Sequence, residues 1–111
     1  MKQMQKLKSD LCKFVKDRNW QNYHSPKNLA MALSVEVAEL VEIFQWLTED
    51  ESYRIASKAF IELKDEIGDV QIYLTMLADK FNLNPIDEAN AKLKKNKKKY
   101  PVMDNQFNKF L

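Results

Sequence analysis

Residues Leu29 to Trp46, LAMALSVEVAELVEIFQW, constrain this chain more than any other stretch. At about 100° per residue, Leu29, Ala32, Leu33, Leu40, Ile43 and Leu47 fall on one helical stripe. Glu36 falls in the middle of that stripe and Glu39 at its edge. A carboxylate on an apolar face is costly unless a cation or hydrogen bonds compensate it. A second pair follows in KDEIGDVQIYL, where Glu66 and Asp69 are again three apart. Only one glycine and three prolines punctuate 111 residues. Long helices are therefore expected, with acids turned inward.

The remaining periodicity completes an all-α, four-helix bundle-like fold. Met4, Leu7, Leu11, Phe14 and Val15 recur at helical spacing and predict a first helix over residues 2–18. RNWQNYHSPKN then reads as a loop, with Ser25 as cap and Pro26 at the first position of a second helix running to about Leu47. TEDES, Thr48 to Ser52, reads as a polar connection, with Thr48 or Asp50 as the next cap. A third helix is expected from about Ser52 to Phe81, with Ala56, Phe60, Leu63, Ile67, Val70, Leu74 and Phe81 on its apolar face. Gly68 inside it costs about 1 kcal/mol relative to alanine and suggests close approach of a helix or ligand, or else simple tolerance. Asn82 to Pro85 breaks that helix. A fourth is expected from Pro85 to about Lys98, its lysines suiting the negative end of the helix dipole. The chain reads as one domain over 1–111, with a loosely ordered tail at 102–111.

Composition narrows the function. One cysteine, Cys12, forms no intrachain disulfide, and a reducing cytoplasm is the expected setting. No apolar run approaches the ~18 to 20 residues of a membrane helix, so no membrane partner is expected. The start, MKQMQKLKSDL, lacks the apolar core of a signal peptide. A formal net charge of +2 is too weak to indicate a nucleic-acid partner. Charge is uneven, however: acid gathers from Glu36 to Asp69 and lysine from Lys92 to Lys99.

Spacing of three puts each acid pair on one helical face. Converging carboxylates without a cation repel one another. A hard, oxygen-preferring ion relieves them, and Mg²⁺, with Mn²⁺ as a substitute, fits because it keeps waters for substrate phosphates. One His and one Cys are too few for zinc, and no Glu-x-x-His pair suggests a di-iron bundle. The expected chemistry is metal-assisted hydrolysis of a phosphate ester or anhydride. An isolated E-x-x-E is more often a solvated face; Glu42, Glu62 and Asp65 suit that reading, whereas Glu36 does not. Of the lysine run, Lys92, Asn96 and Lys99 are spaced to contact phosphate from one face, the rest being a solvated helix end. Trp20 and Trp46 are either packing groups or stacking platforms for a nucleobase. His24 is more often a loop hydrogen-bonder than a catalyst.

The blocks DRNWQNYHSPKNLAMALSVEVAELVEIFQW, ELKDEIGDVQIYL and KLKKNKKKYPV, from Asp17 to Val102, resemble the MazG-like nucleoside triphosphate pyrophosphohydrolases in series, closest to the dCTP pyrophosphatase branch. The resemblance implies hydrolysis of a nucleoside triphosphate to monophosphate and pyrophosphate, in nucleotide-pool cleansing. It carries metal ligation and catalysis onto Glu36, Glu39, Glu66 and Asp69. It carries substrate contacts onto Trp20, His24, Asn28, Trp46 and Tyr73, and phosphate contacts onto Lys92, Asn96 and Lys99. It also implies a homodimer or a homotetramer built as a dimer of dimers, with the base pocket near the subunit interface. One departure stands out: Leu11 occupies the position of a base-reading histidine in mammalian dCTP-preferring members, which leaves the base preference open. A dUTPase-like or phosphoribosyl-ATP-hydrolysing relative is the alternative enzyme, and a non-catalytic helical interaction module the alternative class.

Overall fold

A computed structural model describes residues 2–102. It contains α1 (Lys2–Asp17), a 3-10 turn (Gln21–Tyr23), α2 (Pro26–Phe44), α3 (Glu49–Ser52), α4 (Ser57–Asp79) and α5 (Pro85–Lys99). No strand occurs among the described residues. The all-α expectation holds, with five α-helices where four were expected. The expectation for the tail lies outside the described residues, apart from Val102.

Local chemistry sets the helix starts. The Ser25 hydroxyl accepts from the Asn28 backbone N–H at 3.1 Å, with Pro26 in the first turn. Asn84 caps α5 in the same manner, its Oδ1 accepting from the Ile86 N–H at 2.8 Å. The expected long third helix is split. Thr48 and Glu51 form a reciprocal capping box, at 3.1 and 2.9 Å, which starts α3 inside the stretch read as a connection. Ala56 then adopts extended backbone (φ −66°, ψ 158°), so α4 begins at Ser57 and not at Ser52. The second helix likewise stops at Phe44, leaving Trp46 and Leu47 beyond its end. Asn82, at a left-handed φ of 57°, turns the chain out of α4.

The central helix is α4: α2, α1 and α5 all pack against it, α2 most extensively. Leu29, 1% exposed, and Thr75 are the most completely buried side chains, joined by Met4 and Ala78. Burying a leucine contributes roughly 2 kcal/mol. The apolar face expected for α4 needs correction. Phe60, Ile67, Leu74 and Phe81 point away from the single-chain core, and the side chains turned inward are Leu63, Val70, Ile72, Tyr73, Met76 and Leu77. Helix α4 is apolar on more than one side, and one chain supplies partners for only part of it. A Cβ on Gly68 would meet open space, so no close approach within the chain explains that glycine.

The chain exposes 9458 Å², where a folded monomer of 13.1 kDa exposes roughly 6,400 Å². Its radius of gyration is 17.3 Å, against about 13 Å for a compact domain of this length.

Candidate metal centre and adjoining cleft

Helices α2 and α4 pack along their lengths and bring the two acid pairs to one seam. Glu36, Glu39 and Glu66 each place a carboxylate oxygen within 4.8 Å of the others. Glu36 and Glu66 are half-buried, Glu39 exposed at the rim. Oε2 of Glu36 and Oε2 of Glu66 are both sealed from solvent, and no donor among the described residues reaches either. Buried carboxylate oxygens normally have partners. Two without partners, on residues whose carboxylates gather within 4.8 Å, fit a bound cation. Ligands of one Mg²⁺ ion lie roughly 3 to 4 Å apart, so small side-chain adjustments close the shell.

The protonation of these acids responds to the crowding. Burial pushes the Glu66 carboxyl up to about 7, with the neighbouring Glu39, Glu36 and Asp69 adding to the effect. Glu36 is raised as well, first by burial of its sealed oxygen, then by Glu39 and Asp69, while hydrogen bonding with Glu66 pulls the other way. The rest of each group stays open to solvent. Asp69 stands outside the tight trio, yet its charge reaches both Glu36 and Glu66.

Asp69 also lines a cleft of about 380 Å³ between α1, the 3-10 loop and α4. Its walls are Leu11, Phe14, Val15, Trp20, Ile72, Tyr73 and Met76, with His24 and Asp10 as further polar groups. Trp20 packs edge-to-face on Phe14, ring centroids 5.7 Å apart, and lies 6.4 Å from the His24 ring. It remains 42% exposed. Burial, and then the charge of Lys80, lower the pKa of His24, which favours its neutral form. Asn28 holds the loop in place: its Nδ2 donates to the Tyr23 carbonyl at 3.0 Å.

The chain thus brings Trp20, His24, Tyr73 and Asp69 into one cleft and sets Glu36, Glu39 and Glu66 in the seam beside it. Trp46, Lys92, Asn96 and Lys99 do not line that cleft. Trp46 is 87% exposed just past the end of α2. Lys99 lies over the Tyr100 ring at 5.4 Å, on an α5 that packs chiefly against α4. Leu11 does line the cleft. Sequence reasoning missed Asp10 and Phe14 as cleft residues. They sit one turn apart on α1, a spacing that marks a shared face but not which face meets α4.

The fold and site define a class: an all-α protein whose inward carboxylates suit a hard divalent cation, beside an aromatic cleft. The MazG-like family profile matches residues 31–109, and the chain belongs to that family. It is 37% identical over 91 residues to mouse dCTP pyrophosphatase 1 and 35% identical to the human protein of that name. Each match covers 80% of this chain and 54% of the relative, so the chain spans about half the length of those proteins. A crystal structure of a pyrophosphatase from Archaeoglobus fulgidus superposes with a TM-score of 0.84 at 44% identity, covering 90% of this chain and 94% of that one.

Proposed function

We propose that this chain hydrolyses a nucleoside or deoxynucleoside triphosphate to the monophosphate and pyrophosphate. The observation that carries the reading is the pair of sealed, partnerless oxygens of Glu36 and Glu66 next to the cleft walled by Trp20 and Tyr73. The family and the names of its relatives support the same reaction class.

Glu36, Glu39, Glu66 and Asp69 would hold magnesium, with manganese as a substitute. When bound, the ion supplies positive charge for the phosphates and acidifies water at neutral pH. The attacking water oxygen bonds to the α-phosphorus, the bond from that phosphorus to its bridging oxygen breaks, and pyrophosphate departs with that oxygen. A carboxylate of the seam takes the proton from water. Trp20 and Tyr73 flank the base. His24, kept neutral, offers both a donor and an acceptor. Asn28 fixes the loop that carries Trp20 and His24.

A second copy of the chain completes the arrangement. Val37, Val41, Phe60, Ile61 and Ile67 are exposed on α2 and α4, and the surface excess over a folded monomer is of the size an obligate interface removes. In a homodimer, or a homotetramer built from it, Trp46 and the Lys92, Asn96 and Lys99 face approach a site from across the interface. The physiological setting this suggests is cleansing of the cytoplasmic nucleotide pool. Pyrophosphate release from a panel of dNTPs and NTPs, with and without Mg²⁺, tests the reading. Magnesium-dependent release from at least one nucleotide is expected. Silence across the panel would overturn it.

A further inference from the structure

Helix α1 carries a different hollow on each flank. At about 100° per residue, half-buried Leu11 and Val15 form the stripe that meets α4. Asp10 and Phe14 lie on one side of that stripe; Lys8, Cys12 and Lys16, each one turn apart, lie on the other. The first flank borders the aromatic cleft. The second borders a separate hollow of about 170 Å³, closed by the loop after α1 and by the end of α4. At its bottom are Leu29 and Thr75, each 1% exposed. The Thr75 hydroxyl already accepts from Gln71 Nε2 at 2.8 Å, so the floor suits apolar matter.

The rim is cationic. Lys8, Lys16 and Lys80 line it, against Asp79 as its one carboxylate. Lys8 pairs with Asp79 at 3.2 Å. Lys16 and Lys80 form no ion pair among the described residues. His24, whose pKa is lowered by burial and then by the charge of Lys80, adds a neutral ring to the wall. Two uncompensated positive charges select an anion, and the floor beneath them selects an apolar body. A dry apolar cavity of about 150 Å³ holds one benzene ring, which sets the size of that body.

We infer that this hollow is an effector site for a small organic anion, a ring-sized apolar body bearing a carboxylate or a phosphate, separate from the nucleotide cleft. The anionic head meets Lys16 and Lys80, and the body lies against Val15 and Leu29. Leu11, Val15, His24 and Met76 line both hollows. Filling one therefore loads a wall of the other, and such coupling runs in both directions. The coupling rests on the nucleotide reading above; the binding does not.

Cys12 supplies the readout. It is the chain's only cysteine, it is exposed, and it lines this hollow but not the cleft. The rate of its alkylation by iodoacetamide is measured on the full chain, at constant ionic strength, with benzoate, phenyl phosphate, benzylamine or inorganic phosphate. A ligand this small binds in about the millimolar range, which sets the concentrations. Benzoate or phenyl phosphate should slow alkylation several-fold, the stronger of the two identifying the head group. Benzylamine reverses the charge on the same ring, and inorganic phosphate lacks the ring; neither should protect. The double variant Lys16→Gln, Lys80→Gln should lose the protection. The protecting anion should also shift the nucleotide KM by about five-fold in the wild type, the lower end of ordinary coupling, and not in the double variant. Alkylation unmoved by both anions, slowed equally by benzylamine, or slowed as much in the double variant would overturn the site. Protection with an unmoved KM would overturn the effector role. Protection without turnover of any nucleotide would support the site and overturn the hydrolytic reading.

Discussion

The α2–α4 seam and the α1–α4 cleft share one helix but differ in what they bury. The seam encloses carboxylate oxygens and leaves two of them without partners. The cleft encloses rings and aliphatic groups around a few polar tips. Asp69 belongs to both, as a charge felt by Glu36 and Glu66 and as a wall of the cleft. On the proposed reading, the contrast divides the labour of a nucleotide site: the crowded carboxylates would hold a cation and phosphates, and the ring-lined hollow would receive a flat base.

The two regions therefore respond differently to substitution. Glu36→Gln, Glu66→Gln or Asp69→Asn should lower kcat by about a thousand-fold or more, since each removes charge from a metal clamp. Folding should survive, and metal-free melting temperature should rise as repulsion is relieved. Wild-type turnover in any of these variants would detach the seam from the chemistry. Ile67→Asp, a charge on the exposed apolar face of α4, should break the assembly. Light scattering would report a monomer, and activity should fall with it. An unchanged mass would move the interface elsewhere.

Trp20→Ala should raise KM by about ten-fold while kcat changes little, from the loss of one stacked base. An unchanged KM would remove Trp20 from the base site. The smallest effect separates the regions by pH. Glu66 holds its proton up to about 7 in the fold, against 4.5 ordinarily. The folded state then binds more protons than the unfolded state between those values, so metal-free stability is fullest below about 4.5 and declines as pH rises through about 7. Melting temperature measured across this window should fall without Mg²⁺ and flatten with it. A flat metal-free profile would mean the acids are not crowded in solution.

The seam was legible in the sequence because a glutamate at position 36 breaks an apolar stripe, and a helical period says which residues share its face. The starts at Pro26 and Pro85 were legible because cap chemistry is local. The split at Tyr53–Ala56 was not, since no proline or glycine marks it and a capping box started a helix one turn early. The inward face of α4 was misjudged because Phe60, Ile67, Leu74 and Phe81 form a second apolar side, and periodicity does not tell a core from a surface awaiting another chain. The cleft depends on how α1 crosses α4. Nothing in the sequence singles out Asp10, and only the packing brings it to the same cleft as Tyr73.

The most direct test of the central claim is hydrolysis of a nucleoside triphosphate in ¹⁸O-labelled water with Mg²⁺ present. Attack at the α-phosphorus predicts label in the nucleoside monophosphate and none in the pyrophosphate. Label in the pyrophosphate or release of orthophosphate as the first product would contradict attack at the α-phosphorus, and turnover indifferent to Mg²⁺ would contradict a metal-clamping role for the seam of Glu36, Glu39, Glu66 and Asp69.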